Sequence, residues 1–527
     1  MTDTTRLKSE LNQREDLQHL LFRRGYLFSN RPDIDLSGYP FYNHWNREQV
    51  NSEFYLYLHN EQHKYIFRRD GLTLVLVGHA YDPFAMVSDE NVILENCANA
   101  YLSGKETFLD AVSSLTGIHL IAVFSGQENL FVQDCSGMKS CYYGACGENI
   151  YITSHCAVIG DIDAPKKNAF AQKLLQSRSF THGSKYLPGD LTIYEGFSRL
   201  GPNLYLRLCD ALFSVKRFYP AAPHPEVSQD DREIAEKIAK LIKNNTALCA
   251  EKWKRPAISL SGGVDSRTTL ASANGNYDKF QYYSFFSKPQ EKSDAQAAHN
   301  ICQALGLEHK IYPIAEENEA YPDFDLYRQI VLHNSAGISP LKDNEVRKYI
   351  FLSTLNDFDV ELKSWASEIG RAFWERRYGF QLPDKLVPRH FSIFQTRYFG
   401  APLLLRQSDK AYAEFLEKSS FTYPMYNYEN SDLFYWEYRF GSWGTIVTNG
   451  QDIFNFEVTM PLNNRKIMDM FLWYPHAFRR ADGVNQAVTV INEPKMQEIA
   501  FNVHNDYLNK KRLLLETVYY RYRMFLK

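Results

Sequence analysis

The stretch Ser259-Leu260-Ser261-Gly262-Gly263-Val264-Asp265-Ser266 holds the residue types best suited to chemistry. Two adjacent glycines let a backbone approach a ligand closely. The hydroxyls of Ser259, Ser261 and Ser266, with amides at a helix start, can cradle a pyrophosphate, and the helix dipole favours the same anion. A carboxylate inside an anion site is repelled unless it holds a cation, so Asp265 reads as a Mg²⁺ ligand. No Gly-Lys-Ser/Thr follows, which disfavours γ-phosphate transfer. The plainer alternative is a strand-to-helix turn in which Asp265 and Ser266 only cap the helix.

The elements around this loop suit the first reading. Ala257-Ile-Ser-Leu260 reads as a short buried strand, and Arg267 to Ala273 as the helix that follows. A second strand, Phe280 to Phe286, precedes a helix capped by Ser293 and ended by Gly306. His309 to Pro313 gives a third strand. Strands alternating with helices predict a doubly wound parallel sheet. Upstream, Tyr55-Leu-Tyr-Leu, Leu72 to Val77, His119 to Phe124, Asn129 to Gln133 and Asn149 to Ser154 are β-favouring runs broken by turn residues, which predicts an antiparallel sheet domain. Residues 1 to about 30 read as a helical arm. Ala221-Ala-Pro-His-Pro225 interrupts any regular element and marks the boundary between domains at 1–220 and 226–527. The chain beyond about residue 380 reads as mostly helical.

The 527 residues exceed what one core usually supports, and the composition, 44% hydrophobic and 23% charged, is globular. A formal charge of -3 gives no basic footprint for a nucleic acid. The polar amino terminus and short apolar runs predict neither secretory signal nor membrane span, and a cytoplasmic location. The eight cysteines are dispersed, without CxxC pairs or metal-ligand spacing, and read as free thiols.

The SGGVDS string resembles the PP-loop ATP pyrophosphatases. Asp134-Cys-Ser-Gly137, Tyr142-Tyr143, Ile150 to Ser154 and Tyr194 to Pro202, in that order before the loop, resemble the asparagine synthetase family over roughly residues 70 to 500. The resemblance implies an Ntn-like β sandwich followed by an adenine nucleotide α hydrolase-like domain, with ATP and Mg²⁺ as cofactors and Phe286 among the nucleotide contacts. It also implies Mg²⁺ and pyrophosphate contacts in Val360 to Phe373, where Glu368 would join Asp265 on the metal and Arg371, three residues on, would face the phosphates. A late lysine would neutralise the adenylation transition state; Lys495, Arg479 and Arg480 are candidates. Glutaminase members use an amino-terminal Cys, whereas residue 2 here is Thr and the first Cys is Cys97. The first domain therefore reads as a glutaminase relic.

The function expected is activation of a small-molecule or peptide carboxylate as an acyl-adenylate, with capture by an amine, the logic of β-lactam synthetases and lasso-peptide cyclases. The rivals are an asparagine synthetase using aspartate with ammonia or glutamine, and a nucleotide-binding scaffold without turnover. No nucleic acid or membrane partner is expected, and a homo-oligomer stays open. The aromatic cluster Phe434 to Phe440 reads either as helix core or as the wall of an acceptor pocket larger than aspartate needs.

Overall fold

A computed structural model describes residues 4–35, 38–39, 42–181, 185–379, 382–383, 385–396, 402–421, 425–499 and 506–525. Among the described residues seventeen strands form three sheets. Helix α1 (Thr4–Asn12) precedes β1 (Tyr26–Ser29), β2 (Trp45–Gln49), β3 (Tyr55–His59), β4 (Lys64–Arg69) and β5 (Leu72–Tyr81). Helices α2 (Glu90–Ser103) and α3 (Lys105–Ser113) lead to β6 (Thr116–Phe124), β7 (Asn129–Gln133), β8 (Tyr142–Cys146), β9 (Asn149–Thr153), β10 (Phe197–Arg199), β11 (Leu204–Cys209) and β12 (Leu212–Arg217).

The first sheet runs β10-β8-β9-β1-β3-β2 and the second β12-β11-β7-β6-β5-β4, every pairing antiparallel. They stack as a sandwich: Phe28 of the first sheet meets Phe124 and Phe131 of the second at 5.7 and 5.6 Å between ring centroids. Strand β5 shows why its run is continuously apolar. Val75 and Val77 enter the core between the sheets, while Leu72, Leu74 and Leu76 pack against α2 and α3 on the outer face.

The arm expected over residues 1 to 30 stops short. Its last residues form β1, in the middle of the first sheet, because Tyr26-Leu-Phe-Ser is buried throughout; a four-residue apolar run carries too little periodicity to separate strand from helix. Thr2 lies outside the described residues. Just ahead of β1, Arg23 and Arg24 send their guanidinium groups to the carbonyls of Ile453, Phe454 and Phe456.

The second half opens with α4 (Arg232–Lys252), capped by Asp231, which accepts from Ile234 N. Then come β13 (Pro256–Ser259), α5 (Val264–Ser272), β14 (Gln281–Phe286), α6 (Pro289–Ala304), β15 (His309–Pro313), α7 (Asp343–Thr354), β16 (Val360–Leu362) and β17 (Glu457–Thr459). The sheet order β15-β14-β13-β16-β17, parallel throughout, is doubly wound: the chain travels one way from β13 through β15, then returns to β13's other side. Helix α6 starts at Pro289, so Ser293 is an interior residue and not its cap; proline at the first position supplies the start signal instead. Beyond residue 380 the regular elements of the described chain are helices apart from β17, including a ten-residue π-helix, Tyr435–Gly444.

The two halves share buried polar joints. Glu437, fully buried in the π-helix, binds Arg217 of β12 through two bonds of 2.6 and 2.8 Å. Asp134 accepts from the amides of Ser136, Met138 and Lys139 and from Asn463 Nδ2. Six cysteines are buried and none is disulfide-bonded. No described helix is long and apolar enough to cross a membrane.

Candidate active site

In a doubly wound sheet, ligands bind beyond the carboxyl ends of the strands where the winding direction switches. Here that point lies between β13 and β16, and the loop Ser259–Ser266 leaves the end of β13. Leu260 is pinned across to β14, its N–H donating to Tyr283 O and its carbonyl accepting from Ser284 Oγ. Gly263 then caps α5 with extended backbone. Ser266 Oγ braces the turn by donating toward the carbonyls of Ser261 and Gly263 at 2.8 and 3.1 Å. The first amides of α5 emerge from this brace.

A cavity of about 600 Å³ opens here. Ser259, Leu260, Ser261, Asp265 and Ser266 line it, together with Glu368. Gly262, Gly263 and Val264 complete the loop without lining the cavity. Phe285 lines it, whereas Phe286 turns away, under the ammonium of Lys292 at 5.9 Å. A larger cleft of 850 Å³, lined by Tyr219, Asp469 and Trp473 among others, lies away from the loop and includes none of its residues.

Glu368 sits on a short 3₁₀ turn, Ser367–Gly370, flanked by two alanines in the left-handed region, Ala366 at φ 81° and Ala372 at φ 48°. Such backbone costs on the order of 1 kcal/mol per residue and persists where packing dictates it. The turn brings three sequence candidates together. Arg371 Nη1 lies 2.5 Å from Asp265 Oδ2, and Arg371 Nε lies 2.7 Å from Asp482. Ser367 Oγ donates to the other oxygen of Asp265. Tyr435 Oη donates to Glu368 Oε2 at 2.5 Å.

The charges are strongly coupled. Burial first, and then the charge of Glu368, raises the Asp265 carboxyl above its ordinary value, while Arg371 pulls it back. Burial opposes the charge on Arg371, yet Asp265 and Asp482 together hold that guanidinium above its usual range. Burial and the neighbouring Glu368 push the Tyr435 phenol far up.

The late-lysine candidates lie elsewhere. Lys495 is exposed on a 3₁₀ turn and does not line the cavity. Arg479 is paired with buried Asp432, and Arg480 with Glu375. Sequence reasoning missed Lys363, which follows β16, is 8% exposed, and lines the cavity beside Glu361 at 3.3 Å. The available signal was the alternation Val360-Glu361-Leu362-Lys363 between an apolar and a charged face.

Among the described residues no group of three or more His, Cys, Asp or Glu could hold a metal by itself. Asp265 and Glu368 nevertheless fit Mg²⁺, which takes one or two protein carboxylates and completes its shell with phosphate oxygens and water. Arg371 occupies part of that role as the resident counter-charge.

Residues 237–337, which include the loop, α6 and β15, match the family model described as asparagine synthase. The match supports an ATP-dependent carbon–nitrogen ligase as the general class. No curated protein matches the chain. Among solved structures, the chain is similar to one titled "structure of the allosteric regulatory enzyme of purine biosynthesis", at 10% identity and TM-score 0.24, covering 58% of this chain and 62% of that one. It is also similar to glutamine phosphoribosylpyrophosphate amidotransferase from B. subtilis complexed with ADP and GMP, at 10% identity and TM-score 0.22, covering 76% of each chain. At these TM-scores the fold rests on the chain's own strand order.

Proposed function

We propose that this protein is an ATP-dependent amide-forming ligase that activates a carboxylic acid as an acyl-adenylate. The observation that carries the reading is the position of the Ser259–Ser266 loop: at the switch point of a parallel sheet, braced by Ser266, opening with Asp265 and Glu368 into one cavity. Amides at the head of α5 suit the pyrophosphate portion of ATP. Asp265 and Glu368 would hold Mg²⁺, which would neutralise charge on the phosphates. In the first step an oxygen of the substrate carboxylate bonds to the α-phosphorus as pyrophosphate leaves. In the second, an amine nitrogen bonds to the acyl carbon, AMP leaves with the bonding electrons, and the amine gives up a proton. Lys363, which lines the same cavity, would offset the developing negative charge, and the chain's part would be positioning and charge neutralisation.

A second reading, a nucleotide-binding module without turnover, draws on one observation: both oxygens of Asp265 are already engaged, by Ser367 and Arg371. The test is exchange of labelled pyrophosphate into ATP, screened over a panel of carboxylic acids with magnesium. Acid-dependent exchange, abolished in Asp265→Ala, is the expected result. Nucleotide binding with no exchange across the panel would favour the module, and no nucleotide binding would remove both readings.

A further inference from the structure

The cleft of about 850 Å³ shares no lining residue with the cavity at the loop. It lies at the seam of the two halves: α3 and the residues after β12 contribute one side, and the helix Arg465–Leu472 with Tyr428 the other. Small-molecule sites favour such seams, and this volume suits an organic ligand better than a bare ion.

Asp469, on that helix, lines the cleft. Its Oδ1 accepts from Tyr219 Oη at 2.6 Å and from Tyr428 Oη at 2.5 Å. Both phenol hydrogens are thus spent on one oxygen. The other, Oδ2, takes no hydrogen bond from a described residue and is not among the sealed polar atoms, the side chain being half-buried. What this corner offers a ligand is acceptors alone: Oδ2 and the lone pairs of two phenols. A ligand that answers them brings N–H donors, and a carboxylate favours the charged kind.

The surrounding rings favour the same charge. Tyr219 and Tyr428 meet at 5.7 Å between centroids and 68° between planes, so their faces point in different directions beside Asp469. Aromatic faces attract cations. The cations that line the cleft are engaged elsewhere: Lys466 with Asp110 at 2.9 Å, Lys105 with Glu128, and Arg217 with Glu437. Arg465 lies over the Phe218 ring at 4.7 Å and donates to Asn203 Oδ1. Exposed Lys237 is offset by exposed Glu106. Asp469 has no ion-pair partner among the described residues.

We infer that this cleft is a second ligand site, for a small organic ammonium ion, with its nitrogen at Asp469 Oδ2 beside Tyr219 and Tyr428 and its apolar body along Trp473. The inference does not rest on the ligase reading, because the two sites have no residue in common.

The test is calorimetric titration of the full chain with three ligands of one shape: tryptamine, a cation; tryptophol, which is neutral; and indole-3-acetate, an anion. Saturable binding of tryptamine is expected, with tryptophol weaker by roughly tenfold or more, the scale of a desolvated cation on aromatic faces, and indole-3-acetate undetected. Asp469→Asn keeps an acceptor for the two phenols and removes the charge, so it should bring tryptamine level with tryptophol. Trp473→Ala should weaken both. Circular dichroism checks that each variant folds; should one fail, the other carries the comparison. Failure of tryptamine to bind, or equal binding to parent and folded variants, overturns the proposal. So does indole-3-acetate binding as tightly as tryptamine, because the lysines of the cleft would then be the recognition elements.

Discussion

Arg371 and Asp265 meet at 2.5 Å on the edge of the cavity, and Asp482 holds the same guanidinium from another side at 2.7 Å. Three carboxylates, counting Glu368, thus share Arg371 and Arg376, the latter also bound to Asp482, in the place where the sequence reading put a metal and a phosphate contact. The resident pair and an incoming cation compete for Asp265.

That competition predicts the behaviour of Arg371→Met. Removing one partner of a buried pair costs about 3–5 kcal/mol, and partial exposure of both side chains, 12% and 24%, places this case at the lower end. A divalent cation should restore part of the loss by taking over the arginine's charge. Thermal unfolding with and without millimolar magnesium measures both effects. A melting temperature equally insensitive to magnesium in parent and variant would mean that Asp265 and Glu368 are not a metal pair.

Lys363 and Lys495 make a paired comparison. Lys363 lines the cavity and is buried, whereas Lys495 is exposed outside it. Lys363→Met should lower pyrophosphate exchange by about 10²-fold or more, the scale of losing one preorganised electrostatic contact. Lys495→Met should leave it unchanged. The reverse ordering would return the late-lysine role to the carboxy-terminal segment.

The loop and its sheet were legible for a physical reason: the change from a period of two to a period of 3.6 after residue 225, and the SGGVDS string, are both local signals. Glu361 and Lys363 were not. A three-residue strand has no periodicity to measure, and a charged face alternating with Val360 and Leu362 looks solvent-facing until β17 closes over its edge from almost a hundred residues away. Strand β1 escaped for a related reason, since only the strands on either side, β9 and β3, reveal that Tyr26 to Ser29 is central. Pairing between distant segments decides such positions, and a single sequence does not display it.

Glu437 predicts how the two halves are coupled. Its carboxylate is fully buried and takes two bonds from Arg217 and one from Asn203 Nδ2 at 3.2 Å. Glu437→Gln keeps the shape but leaves the Arg217 guanidinium buried without its counter-charge, at a cost of about 3–5 kcal/mol. Arg217 belongs to β12 and Glu437 to the helical region, so urea unfolding followed by two probes, one in each half, should lose coincidence in the variant. A single coincident transition at unchanged midpoint would show that the joint contributes little.

His79 predicts the acid limb of stability. It lies on β5, its Nε2 is 3.0 Å from Thr459 Oγ1, and its ring packs edge-on against Trp253. Glu457, 3.5 Å from Nδ1, favours the protonated ring, while Lys252, His63 and His119 oppose it. Burial dominates and lowers the imidazole to about 3. A histidine depressed in the folded state contributes stability that is fully present above its unfolded value of 6.5 and is lost as pH falls from there toward 3. The slope is about 1.4 kcal/mol per pH unit for one such group. Glu457, lowered to about 2 by its bond from His63 and the charges around it despite its burial, acts in the same direction, but only once pH falls below its ordinary value of 4.5. Between about pH 6 and about pH 5 the buried histidines therefore set the slope: His59, His119, His309 and His390, each lowered by burial to about 4, and His155, lowered by burial to about 3, act alongside His79. Replacing His79 with Gln keeps a hydrogen-bonding group toward Thr459 and removes one titrating site. Unfolding free energies from urea titrations at these two pH values should then differ by about 1 kcal/mol less in the variant than in the parent. An unchanged difference would mean that His79 is protonated, or reached by water, in the folded protein.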